Sequence, residues 1–166
     1  MIAARALRAG AALALVATLS VGVAACATTS PGATTSALPA VEERSIAELQ
    51  AEMTAGRATS ESLVLAYLAR IEAIDRGRGV NSVLAVNPDA LAQARALDAE
   101  RAAGRVRGPL HGVPVLLKDN IETLDPMPTT AGSLALKDNV TGRDAPLAAR
   151  LRAAGAVVLG KTNLSE

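Results

Sequence analysis

Apolar positions recur with two different periods along this chain. Leu63, Tyr67, Ile71 and Ile74 fall at helical spacing, with Arg70, Glu72 and Arg76 largely on the other side. They predict a helix that starts at Thr59 or Ser60 and stops at Gly77 and Gly79. Upstream, Ser45 followed three residues later by Glu48 has the form of a capping box. It predicts a helix of roughly three turns that ends near Gly56. Asn87-Pro88 offers a cap and a first-turn proline for a helix running to about Ala103 and ending at Gly104. Asp144 is expected to cap a last helix that carries Leu147 and Leu151 and closes at Gly155. Between these lie short apolar runs, Ser82 to Val86, Val113 to Leu117 and Ala156 to Leu159, which read as strands. Pro114 belongs at a strand's start or edge, so Val115-Leu116-Leu117 is the expected buried part. Residues 120–143, with Pro126, Pro128 and Gly132, read as irregular. Helices alternating with short strands predict an α/β layered fold.

The first residues follow another pattern. Arg5 and Arg8 precede an alanine-rich apolar run to Ala25, which describes an export signal over residues 1–25. The run is shorter than the ~20 apolar residues that spanning a membrane requires. Val23-Ala24-Ala25-Cys26 resembles the bacterial lipobox, whose cysteine is lipidated and becomes the new N-terminus. Cys26 is therefore the expected membrane anchor, on the cell-envelope side. Plain cleavage after Ala25 would leave it incidental. Residues 26–43, rich in Ala, Thr, Ser and Pro, read as anchor and flexible tether. The folded body is expected over 44–166.

Charge and composition narrow the chemistry. Lys and Arg number 17 against 16 acidic residues, a net charge of +1 that lacks the basic footprint of a nucleic-acid binder. Tyr67 is the sole aromatic residue, so base stacking has no platform and the core must rest on Ala, Leu, Val and Ile. The single cysteine permits no internal disulfide. His111 is the only histidine, in a turn-rich stretch, and with one cysteine it cannot supply a usual tetrahedral metal set.

Gly155-Ala-Val-Val-Leu-Gly-Lys-Thr162 satisfies the phosphate-loop pattern letter for letter. That motif needs a strand before its first glycine and a curled loop of N–H donors. Here a helix precedes Gly155 and the interior is strand material. A nucleotide-binding reading is therefore the weaker alternative.

Lys118 is one of three lysines against fourteen arginines, and it follows an apolar run. Such a residue commonly just carries a strand out to solvent. Alternatively, burial would lower its pKa and let a neutral amine act as a base. The wider stretch Gly108-Pro-Leu-His-Gly-Val-Pro-Val-Leu-Leu-Lys-Asp-Asn-Ile121 closely resembles the opening motif of the amidase signature family of hydrolases. The similarity continues in family order through Met127-Pro-Thr-Thr-Ala-Gly-Ser133, Asp144-Ala-Pro-Leu147 and Ala154 to Glu166. The Pro126–Leu136 segment looks most like the branch containing peptide amidases, which hydrolyse C-terminal carboxamides.

The resemblance implies a mixed central sheet flanked by helices and a Ser–cis-Ser–Lys triad acting on a small-molecule or peptide amide. Lys118 is the implied triad lysine, neutral and shielded from solvent. No cofactor or metal is implied. His111 becomes a hydrogen-bonded positional residue, while Asp119 and Asn120 are candidates for orienting the site's backbone. Both family serines belong to Gly/Ser-rich segments that should follow the Glu166 region. Ser133 and Ser165 match other blocks. The expectation is thus the N-terminal portion of an amidase, inactive and poorly stable by itself because sheet edges and helix faces lack partners. A non-catalytic lipoprotein binding module on the same scaffold is the alternative.

Overall fold

The computed structural model describes residues 38–164. The export signal and Cys26 lie outside the described residues. Four α-helices and three strands follow in chain order: α1 (Ile46–Thr54), α2 (Ser60–Arg70), β1 (Val83–Val86), α3 (Ala90–Ala102), β2 (Pro114–Lys118), α4 (Pro146–Ala153) and β3 (Val157–Thr162).

Local signals set the first two helices. The Ser45–Glu48 capping box forms, with the Ser45 N–H donating to Glu48 Oε2 at 2.8 Å. A second box starts α2, where Thr59 Oγ1 accepts from the Ser62 N–H at 3.0 Å and Ser62 Oγ accepts from the Thr59 N–H at 2.8 Å. Thr59→Ala should lower unfolding free energy by about 1 kcal/mol, read as a shifted urea midpoint with unchanged slope. The expected run to Gly77 changes character on the way. Ile71–Arg76 is π-helical. Within it Asp75 is buried, and its carboxylate accepts the N–H groups of Ser82 and Val83 at 2.7 and 3.1 Å. That carboxylate ties the helix end to the start of β1.

Two other expected caps are corrected by long-range partners. Helix α3 begins at Ala90, not beside Asn87. Asn87 is buried, accepts from the Asp89 N–H, and donates from Nδ2 to Val158 O at 2.7 Å and Asp125 Oδ1 at 3.0 Å. Asp144 does not cap α4, whose N-cap is Ala145 with Pro146 in the first turn. Its carboxylate instead binds Arg152 at 2.9 Å and accepts the Leu124 N–H at 2.7 Å.

The sheet is mixed, in the order β1-β3-β2, with β1 antiparallel and β2 parallel to the central β3. β3 is longer than expected, running through Lys161 to Thr162. Its pairing skips a residue: Val115 faces Val158, whereas Leu116 faces Gly160 and Leu117 faces Lys161. The extra residue, Leu159, is a bulge that reverses the alternation of side chains beyond it. One sheet face packs on α2 and α3 through Val64, Ala94, Leu97, Val157 and Leu159. The other packs under the irregular segment and α4 through Leu117, Met127, Ala148 and Val158. A third cluster joins α1 to α2 and includes Val41, so the folded body reaches back into the stretch read as tether. Two buried methionines, Met53 and Met127, join Leu, Val and Ala in the core, and no isoleucine is buried among the described residues. Among the described residues β2 is an outer strand, and Leu116, expected to be buried, is 41% exposed. Beside it an apolar cavity of about 260 Å³ opens between Tyr67, Ile71, Ile74, Leu116 and Leu159.

Candidate active site

Two parallel strands, β2 and β3, end side by side, and their carboxyl ends are where open α/β sheets form ligand crevices. Lys118 is the last residue of β2. Its Nζ donates to Asn163 O at 2.8 Å. Among the described residues Lys118 is exposed, since β2 has a strand neighbour on one side only.

The residues after Lys118 are firmly placed. The Asp119 N–H extends the ladder to Thr162 O at 2.9 Å, and Asp119 is 1% exposed. Its carboxylate accepts from the Thr130 N–H at 3.2 Å and from the Thr130 hydroxyl. Its carbonyl accepts from the Ala131 N–H at 3.2 Å. Asp119 thereby staples the Thr130-Ala131-Gly132 turn to the end of β2. Asn120 is exposed. Ser133, also exposed, leads into a short 3₁₀ turn, while Ser165 lies outside the described residues.

His111 is buried and satisfied. Its Nε2 lies 2.9 Å from Leu97 O, and Nδ1 accepts the Arg107 N–H at 3.3 Å, which makes Nε2 the protonated nitrogen. Such a ring positions the chain. Among the described residues, no three His, Cys, Asp or Glu side chains converge as a metal site.

The phosphate-loop pattern receives a structural account in every part. Gly155 closes α4 with φ +86°, and a Cβ there would lie 2.9 Å from His111 Cα. Residues Val157–Thr162 are extended, so their donors serve the sheet. Gly160 admits the Ala85 carbonyl of β1, which a Cβ would meet at 2.4 Å. The lysine of the pattern, Lys161, is wholly buried.

Sequence reasoning assigned nothing to Lys161 beyond that pattern, yet it is the better-enclosed amine. Leu117 and Lys161 are register partners, so the bulge brings Lys161 to the face of Leu117 and Val158. There Nζ donates to Ile121 O at 2.6 Å and Thr129 Oγ1 at 2.9 Å. Burial pushes its pKa below the usual lysine value, against the opposing pull of Asp119, Asp125 and Glu122. Asp125 was missed as well. It is nearly enclosed and accepts from Asn87 Nδ2, from Gln93 Nε2 at 2.5 Å and from Arg152 at 2.8 Å. The one available signal was an acid amid proline-rich irregular sequence, with nothing local to pair it.

A mixed sheet between a helical layer and a long stapled loop, with a lysine at the ends of parallel strands, defines an open α/β scaffold. The chain belongs to the amidase family, whose model, described as Amidase, matches residues 62–166. It is 58% identical to the native peptide amidase from Stenotrophomonas maltophilia over 75% of this chain and 26% of that one, with a TM-score of 0.70. An amidase family protein from Bacillus anthracis matches at 42% identity and a TM-score of 0.71, over 76% of this chain and 25% of that one. One subunit of the glutamyl-tRNA(Gln) amidotransferase of Streptomyces coelicolor is 46% identical over 72% of this chain and 24% of its own length. The chain thus spans about a quarter of the relatives it matches.

Proposed function

We propose that the full-length product of this gene is a serine hydrolase that cleaves amides with a Ser–cis-Ser–Lys triad in which Lys118 is the base. The observation that carries this reading is the place of Lys118, at the carboxyl end of β2 inside the stretch that matches the family. A neutral amine there takes a proton, relayed by the bridging serine, from the nucleophilic serine. That oxygen attacks the amide carbonyl, backbone donors hold the oxyanion, ammonia or an amine departs, and water frees the acyl enzyme. Neutrality requires desolvation. In this proposal the segments bearing the two serines cover Lys118, and residues 1–166 alone turn over no amide.

The substrate class is a peptide ending in a carboxamide, a reading supported by 58% identity to a peptide amidase. The test is ammonia release from a C-terminally amidated dipeptide, with free glutamine as the comparison. Ammonia from the peptide amide supports the assignment. Release from glutamine alone would move the protein toward the amidotransferase relatives.

Export and anchoring belong to the same proposal. Residues 1–25 direct secretion, and Cys26 carries the lipid. Cys26→Ser should shift the protein from the membrane pellet to the soluble fraction, and unchanged pelleting would remove the anchor.

A further inference from the structure

We propose that Lys161 is a positioning residue that acts on Lys118 through the loop between them. The inference rests on the amidase reading for its kinetic consequence, but its structural content stands separately. Three observations converge on this lysine. First, the Leu159 bulge in β3 reverses the side-chain alternation, which is what brings Lys161 to the Leu117 face. A regular strand would send it toward α2 and α3. Second, its ammonium contacts both ends of one loop, the Ile121 carbonyl and the Thr129 hydroxyl. Third, the residues just outside those two points, Asp119 and Thr130, are bonded to each other as well.

The loop neck is therefore closed twice, once at its mouth by carboxylate and hydroxyl and once underneath by the ammonium. Compact loops with joined ends behave as units. This unit begins one residue after Lys118, and its far end carries the Thr130–Gly132 turn against the chain leaving β3. Gly132 lies close enough that a Cβ there would stand 4.0 Å from Leu164 Cδ1. An apolar side chain would fill the same volume without the cost of desolvating a charge. What methionine or leucine cannot do is hold two loop ends at fixed distances. The clamp sets the direction in which β2 delivers Lys118 and the shape of the turn opposite it.

The test uses the full-length product, with Lys161→Met, Thr129→Val and Thr129→Ser. Backbone hydrogen exchange is followed over residues 119–132 and over α2 and α3. Turnover is followed on the amidated dipeptide. Lys161→Met and Thr129→Val should each speed exchange in 119–132 by about tenfold and leave α2 and α3 unchanged. They should also lower kcat by roughly ten- to a hundredfold, with KM nearly constant. Thr129→Ser, which keeps the hydroxyl, should restore both. Unchanged exchange and kcat in folded Lys161→Met would overturn the role. Should that variant fail to fold, Thr129→Val decides by the same two readouts. A wild-type protein that cleaves no amide would sink the amidase reading, and loop exchange would still decide the clamp.

Discussion

Lys118→Met in the full-length product should lower kcat/KM on a peptide amide by about 10⁴-fold, the scale of removing a general base from a catalytic unit. Its effect on stability should be small. Methionine keeps the length and volume of the side chain where the serine segments cover it, and the one hydrogen bond lost, to the Asn163 carbonyl, is worth about 1 kcal/mol. Lys118→Arg should be almost as inactive, because a guanidinium stays charged where the mechanism needs a free amine. Thermal unfolding and ammonia release measured on the same preparations separate lost chemistry from lost fold. Turnover near wild type in either variant would place the base elsewhere.

Asp125→Ala should be the most damaging of these changes to the fold, at about 3–5 kcal/mol, because it leaves a partly buried guanidinium short of a partner. The Asp125 side chain is 2% exposed and that of Arg152 27%. The same carboxylate receives Asn87 and Gln93, so its removal leaves Gln93 Nε2 on α3 short of this partner and Asn87 Nδ2 with only the Val158 carbonyl. Arg152 keeps Asp144, whose carboxyl the Arg152 hydrogen bond holds below its ordinary value of 3.8. A lowered folded-state pKa stabilises fully above the unfolded value, about pH 4, and less as acid carries pH down through the folded one. Urea midpoints compared at pH 7 and at a pH well below 4 should therefore fall further in Asp125→Ala, which depends on Asp144 alone. A midpoint like that of wild type at pH 7 would mean the network contributes nothing net.

Much of the fold could be read from local chemistry. Capping boxes at Ser45 and Thr59, and glycines after α1 and α3, satisfy or end helices using groups a few residues away. Asn87 and Asp144 misled because their strongest partners, Val158, Asp125 and Arg152, lie on other elements. Leu116 misled because apolar character does not say which strand lies outermost. The family was legible from several blocks in register, as the match over residues 62–166 bears out. The environment of Lys161 was not, because a phosphate-loop pattern carries no sign of a buried ammonium. A single inserted residue in β3 turns Lys161 to the Leu117 face, and periodicity alone carries no sign of it.

Among the described residues, the strand in the middle of the sheet is also the last of the three in sequence. A ribosome has therefore released β1 and β2 before the residues that join them exist, and neither neighbours the other in the finished sheet. Long-separation pairings of this kind form late and slowly. Nascent chains arrested before Val157 should consequently hold helices without any sheet, and ladder protection should arrive in one step once Thr162 has cleared the exit tunnel.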